Sequence, residues 1–276
     1  MGRLPLWLPP QSGFTLVELI IVIVVLSVLS VGSVQFISYS ALGYVDTVRR
    51  SELAASATLV NEKISRLVRD ALPGSVRTNA DQSCVELIPV LAATTYIEAP
   101  IVGSPASLTQ VKAVPIDAAL AQTGYLAIYP LGDINRVYDD SQASGFITNQ
   151  VATIGTADAG ASVFTFASFQ FLLASPQQRL FITGQPSAFC QDGTRLYFYR
   201  DYGFVGNVAN LAAALPTRVP QRLLVADQLQ AASVVFNFLP SSLRRNGVLS
   251  FQMTFISDAS SESLQVNQEV QIRNVP

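Results

Sequence analysis

The chain opens with a continuous apolar run and closes in strict alternation. From Phe14 to Val34, 21 residues carry a single charge, Glu18. As a helix this run spans about 31 Å at ~1.5 Å per residue, enough to cross a ~30 Å hydrocarbon core. From Leu53 onward Leu53, Ala57, Val60, Ile64, Leu67, Val68 and Ala71 recur at helical spacing. Arg49, Arg50, Glu52, Asn61, Glu62, Lys63, Arg66, Arg69 and Asp70 fill the other face. The pattern predicts one helix over 14–72, with 14–36 wholly apolar and 37–72 amphipathic, stopped by Pro73-Gly74. Beyond residue 75 the period changes to two. Leu264, Val266, Val270 and Ile272 alternate with Gln265, Asn267, Glu269 and Gln271, and Leu249, Phe251, Met253 and Phe255 alternate with Ser250, Gln252 and Thr254. With 233–239 these form a predicted C-terminal antiparallel meander. Earlier strands are predicted at 84–90, 125–130, 163–172, 179–183 and 195–200. The Ala/Pro/Ser/Thr-rich stretch 99–124 and the Gly/Ala/Ser-rich stretch 139–162 read as long loops or insertions. The fold class is therefore α+β: a long helix followed by a β-rich head over 75–276.

Composition narrows the chemistry. Only 13% of the 276 residues are charged, and the net charge is -2. The isoelectric point is about 5.2. A surface without a basic excess argues against nucleic acid and anionic lipid as partners. There is no histidine, which removes Ser-His-Asp triads, Cys-His dyads and His-based zinc sites. Lys63 and Ser65 lie two apart on a helix and point in different directions, so they make no Ser/Lys dyad. Gly203-Phe-Val-Gly206 lacks the lysine of a phosphate loop. No enzyme, cofactor or metal is expected. Asp133, Asp139 and Asp140 cluster around Asn135 and Tyr138 without EF-hand spacing, and read as a solvated loop rather than a calcium site. The aromatic stretch Leu196 to Phe204 reads as strand packing, with a subunit interface as the alternative; Phe198 faces the core and Tyr197 and Tyr199 the other side.

The apolar run admits three readings. It is a secretory signal cut near Ser30-Val31-Gly32, a plain membrane anchor, or a segment in which Glu18 has a task. A carboxylate within a membrane helix costs on the order of 2.5–3.5 kcal/mol, and such a group calls for a partner. The first two readings gain nothing from it. Arg3 and the amino terminus precede the span, and no basic residue follows until Arg49, so the start lies in the cytoplasm.

Gly13-Phe14-Thr15-Leu16-Val17-Glu18-Leu19 resembles the class III signal of type IV pilins and type II secretion pseudopilins. The resemblance implies a leader of residues 1–13, cleavage between Gly13 and Phe14 by a prepilin peptidase, and N-methylation of Phe14. It implies that Glu18 assembles the subunit by pairing with the Phe14 amine of a neighbour, as two charges in an apolar filament core must. Partners are then other pilins or pseudopilins, the peptidase/methyltransferase, the inner membrane and an assembly platform. The expected shape is a lollipop with a periplasmic head, in the inner membrane and in a pilus or pseudopilus. The leader departs from the pattern in carrying one basic residue amid Pro, Leu and Trp7, and the span lacks the kinking proline of many major pilins. The stretches Tyr44 to Leu53 and Ile64 to Pro73 are similar to MshO-like minor pilins of the mannose-sensitive hemagglutinin (MSHA) pilus. That similarity implies a minor pilin that primes or tips the filament. A GspJ-like minor pseudopilin of type II secretion, or a pilus-borne adhesin binding through 99–124 and 139–162, is the alternative. Cys84 and Cys190 are the only cysteines, and in a head facing the periplasm they are expected to form a disulfide between the first strand and the loop before Arg195.

Overall fold

The computed structural model describes residues 13–116, 123–132, 134–139, 145–148, 152–155, 160–241, 245–257 and 262–272. The chain divides into two compact units, residues 1–52 and 53–276. One helix, α1 (Leu16–Arg69), contributes to both. In the first unit its side chains are exposed from Phe14 to Val48. Ser27 and Ser30 return their hydroxyls to the carbonyls of Val24 and Leu26 at 2.8 and 2.7 Å, so neither asks for an outside partner.

The second unit follows in the order β1 (Arg77–Thr78), β2 (Cys84–Leu87), β3 (Val90–Glu98), β4 (Gln110–Ala113), β5 (Thr123–Ala127), the short helix α2 (Ile134–Val137), β6 (Ala152–Gly155), β7 (Ser162–Thr165), β8 (Arg179–Thr183), β9 (Ser187–Asp192) and β10 (Arg195–Arg200). A 3-10 turn (Val208–Asn210), the short helix α3 (Leu211–Ala214), β11 (Arg222–Ala226), β12 (Val235–Leu239), β13 (Gly247–Ile256) and β14 (Ser263–Ile272) complete it. Among the described residues every pair of these strands is antiparallel, in two sheets and a barrel. The sheets run β1-β2-β9-β10-β11 and β12-β13-β14, and β3-β4-β7-β6-β5-β8 close the barrel.

The largest core lies where the second half of α1 meets both sheets. Leu53, Ala57, Val60, Ile64 and Val68 repeat every three to four residues and are buried against Val85, Leu87, Phe189, Leu196, Phe236, Leu249, Phe251 and Phe255. Each fully buried branched side chain contributes about 1.5–3 kcal/mol, so this stripe holds the helix more firmly than its propensity does. The opposite face of the five-stranded sheet is covered too. Cys84, Ala188, Cys190 and Tyr199 pack there under Tyr202, Val208, Leu211 and Leu215.

Two expectations are corrected. The helix ends at Arg69 rather than at residue 72: Leu72 N–H donates to the Ile88 carbonyl at 2.8 Å and Val90 N–H to that of Asp70 at 3.0 Å. Pairing with residues 88–90, just past β2, therefore takes over before Pro73-Gly74 is reached. Gly74 then turns the chain at φ +79°, where a Cβ would run into the Pro130 carbonyl. Of the two readings of 99–124 and 139–162, the loop is replaced and the insertion holds: β4 lies in the first and β6 in the second, and both are strands of an inserted barrel.

The barrel is an insertion. It occupies residues 90–183, between β2 and β9, which are themselves paired neighbours. It has its own interior of Tyr96, Val111, Ala113, Leu126, Ile128, Phe164, Phe169, Phe171, Leu180 and Ile182. Its outside packs on the host through Leu72, Ile88, Ala127, Val137, Tyr138, Ile147 and Phe181.

Candidate functional site

The N-terminal site is built by three residues ahead of a helix and one turn within it. Gly13, Phe14 and Thr15 precede α1. Thr15 N–H points at a Glu18 carboxylate oxygen at 3.4 Å, and Glu18 N–H at the Thr15 hydroxyl at 3.3 Å. This reciprocal arrangement is a capping box, which satisfies two otherwise orphaned donors of the first turn. Glu18 also places its charge at the positive end of the helix dipole. The carboxylate thus has a local anchor one turn from Phe14, which is 83% exposed. An added Cβ on Gly13 would meet nothing within 4 Å, and Gly13 does not sit at positive φ. The fold places no demand on a glycine there. The helix that follows is long and apolar enough to cross a membrane, by length and composition, and its most apolar 18-residue stretch is wholly unburied.

Cys84 and Cys190 form a disulfide. They are directly opposed in the β2–β9 ladder. Gln191 N–H bonds the Ser83 carbonyl at 3.2 Å, which makes the neighbouring 84–190 pair the non-hydrogen-bonded kind. Its Cα atoms are 4.2 Å apart. Cys190 lies within a strand, not in the loop expected before Arg195. The bond therefore staples the two strands between which the barrel is inserted.

One constellation had no signal in the sequence. Glu86, in the middle of β2, is fully buried, and Arg77 on β1 is 4% exposed. Arg77 Nε donates to Glu86 Oε2 at 2.6 Å. Its other nitrogens donate to the carbonyls of Gly206, at 3.0 Å, and Val205. The guanidinium lies 3.6 Å from the ring centre of Tyr138. Tyr202 donates its hydroxyl to Glu86 Oε1 at 2.8 Å, and Tyr138 donates its own to the Ser75 carbonyl at 2.6 Å. Gly203 to Gly206, weighed above as a phosphate loop, instead turns two carbonyls onto a buried cation. Burial raises the Glu86 carboxyl above its ordinary range, against the pull of Arg77 and the Tyr202 hydroxyl. Burial likewise pushes the Tyr138 and Tyr202 phenols well up, so both stay neutral donors. The group binds together β1, β2, the 202–206 loop and the residue following α2. Both of its charges face partners inside the protein, which makes it a structural tie between these segments.

The remaining sequence candidates are placed as follows. Asp133 and Asp140 lie outside the described residues, and Tyr138 of the same group is a core residue. Lys63, assigned to the wet face, is half-buried with its Nζ 5.3 Å from the ring centre of Phe198. Burial lowers its pKa, aided by Arg200 and Arg66. Ser65 turns away toward Asn61. Phe198 packs against the helix-side core, while Tyr197 and Tyr199 lie on the other face, where Arg222 stacks 3.7 Å from the ring centre of Tyr197. Among the described residues no three His, Cys, Asp or Glu side chains gather as metal ligands would.

Comparison with known proteins adds one finding. The prokaryotic N-terminal methylation motif matches residues 8–34. No curated protein and no solved structure matches the chain. Proteins with this motif are generally structural rather than enzymatic. The match spans Gly13 to Glu18 and the apolar half of the helix, and supports a type IV pilin-like or pseudopilin-like protein, processed by a prepilin peptidase and assembled with other pilins.

Proposed function

We propose that the chain is a minor subunit of an MSHA-like type IV pilus, cut between Gly13 and Phe14, methylated on Phe14, and incorporated near the filament tip. The observation that carries this reading is the methylation motif at 8–34 on a helix whose apolar half nothing in its own unit covers. Such a surface is buried by lipid before assembly and by neighbouring helices after it. Residues 1–13 act as the leader, 14–36 as the membrane and filament-core segment, 37–72 as the amphipathic part, and 75–276 as the head. In the precursor Glu18 is held by its own cap. Cleavage creates a cationic Phe14 amine one turn away, and the carboxylate then pairs with that amine of a neighbouring subunit, fixing the axial step.

The inserted barrel favours a minor role. Every subunit of a filament shaft repeats the same contacts, and a six-stranded insertion adds bulk that the shaft does not use. A subunit present once, at the tip, carries it without obstruction.

The test is a deletion scored in one strain for surface pili by electron microscopy and for exported enzymes in the medium. Sparse or absent pili with normal secretion is the expected result. Normal pili with trapped exoenzymes overturns the pilus assignment in favour of a secretion pseudopilus. Complementation with Glu18→Ala should restore a folded, cleaved subunit but not pili. Full restoration of pili by that variant sinks the pairing argument.

A further inference from the structure

The three-stranded sheet ends in a long, thinly guarded edge. β14 is ten residues long and pairs only with β13 among the described residues. Ser257 N–H donates to the Glu262 carbonyl at 3.0 Å, which fixes the phase of the ladder. Pairs then alternate, so the even-numbered residues of β14 bond to β13. The backbone groups of Gln265, Asn267, Glu269 and Gln271 point outward. Of these, the Glu269 carbonyl accepts the Gln268 side-chain amide at 3.2 Å. Proteins guard such edges with prolines, charged side chains (lysine above all), bulges or a covering segment, and of the charges β14 carries only Glu269. Ser263–Ile272 contains no Pro, Gly, Lys or Arg, and its register with β13 is unbroken over all ten residues. On the inner face Leu264 and Val266 are only partly buried against the core. Asn61 of α1 reaches Gln268 at 3.5 Å. β14 therefore lies beside the part of α1 that packs on the sheet. On the outer face Asn267 and Glu269 line an open concavity with Asn237, Ser250 and Gln252.

We infer that the free edge of β14 over Gln265–Gln271 accepts a β-strand from a different pilin-type subunit in the same filament complex. This rests on the subunit reading above. A symmetric pair with a second copy of this chain is excluded on geometric grounds, and a subunit present once at the tip has no second copy beside it. A symmetric antiparallel pair of β14 edges has its two-fold axis perpendicular to the sheet. Residues 53–69 of α1 lie on that sheet, so the two copies of this segment would run in opposite directions. Subunits anchored in one membrane share one direction, so the contact is heterologous. The incoming strand bonds to the outward groups of Gln265, Asn267, Glu269 and Gln271. It lays apolar side chains beside Leu264 and Val266 and polar ones beside Asn267, and places a basic residue opposite Glu269, the one charge on β14.

The experiment uses the full chain in its own host. A photo-crosslinking phenylalanine derivative is placed at Gln265, at Gln271, and as a control at the exposed Leu224 on β11, the edge of the other sheet. The 265 and 271 positions should crosslink to a strand peptide of another subunit bearing a methylation motif, and 224 should not. In Asn267→Pro, which removes an outward N–H and no β13 bond, the yield should fall about tenfold. Asn267→Thr, which keeps the N–H, should hold it within about twofold. Protease resistance and an intact Cys84–Cys190 bond report that each variant is folded, and the crosslink map in the otherwise unaltered chain decides the matter if the proline variant is not. Crosslinks to a second copy, to a helix, or equally from 224 overturn the inference. So does an absence of crosslinks while the leader is cleaved and filaments form; the subunit reading then stands without the edge contact. A leader that stays uncleaved sinks both.

Discussion

Substitution of Arg77 by methionine keeps the length of the side chain and removes its charge. It leaves the Glu86 carboxylate buried without its counter-ion, and strips the carbonyls of Val205 and Gly206 of their donor. Breaking a buried pair from one side costs about 3–5 kcal/mol, against a total stability of roughly 5–15 kcal/mol for a domain. For a unit of this size that corresponds to a fall of about 6–20 °C in Tm. The cost depends on pH, with a sign that follows from Glu86. Its carboxyl is already raised by burial from 4.5, and Arg77 is the largest influence holding it down. In Arg77→Met the folded-state value rises further. A carboxyl raised on folding lends stability that is complete below its unfolded value and is lost as pH climbs through the folded one. The gap between the parent chain and Arg77→Met should therefore be small near pH 4 and widen toward neutral pH. Urea unfolding of both proteins in detergent at pH 4, 5.5 and 7 measures it. A loss below about 1 kcal/mol that stays flat with pH would refute the picture of a dry, mutually dependent pair.

Replacing both cysteines by alanine should lower stability by about 3–5 kcal/mol, since the bond closes a separation of 106 residues, and the midpoint of urea unfolding reads the change. Gly74→Ala should cost at least about 2 kcal/mol by the same assay, because φ is +79° and the new methyl meets the Pro130 carbonyl. Gly13→Val should leave the melting of the head unchanged, because the site is open on all sides, yet intact mass should show residues 1–13 retained. Ile64→Ala, at a fully buried position of the helix stripe, should cost about 2–5 kcal/mol in thermal unfolding.

How far the sequence reveals the fold follows how many faces each element buries. α1, β13 and β14 bury one face and wet the other, and their periods of 3.6 and 2 stand out. β9 is buried on both faces from Ser187 to Cys190 and shows no alternation. β4 and β6 are four residues long and sit among small residues, and β4 meets β7 far along the chain, so nothing local marks the barrel. The Arg77–Glu86 pair was hidden for a related reason. In Val85-Glu86-Leu87 a charge between two apolar residues reads as an outward-facing strand position. It keeps that orientation but is buried, because Tyr202 and the following residues roof the face it points to, and only tertiary structure supplies a roof. At the N-terminus the opposite holds. The motif is contiguous and answers to an enzyme and a membrane outside the chain, so the residues Gly13 to Glu18 show it without any fold.

The staple at the root of the insertion also shapes how the molecule bears load. The barrel leaves the host from β2 and returns through β9, and the four-residue ladder between them is crossed by the Cys84–Cys190 bond. A pull on the barrel enters the host through both stems. Hydrogen bonds alone would open one after another, like a zipper, and the barrel would be drawn out on a lengthening tether. With a covalent rung at one end of the ladder, the stems cannot part beyond that point. Force passes directly into the strand that continues toward α1. The inserted module thus stays tied to the host sheet under load, with an extension limited to the few residues on the barrel side of the bond.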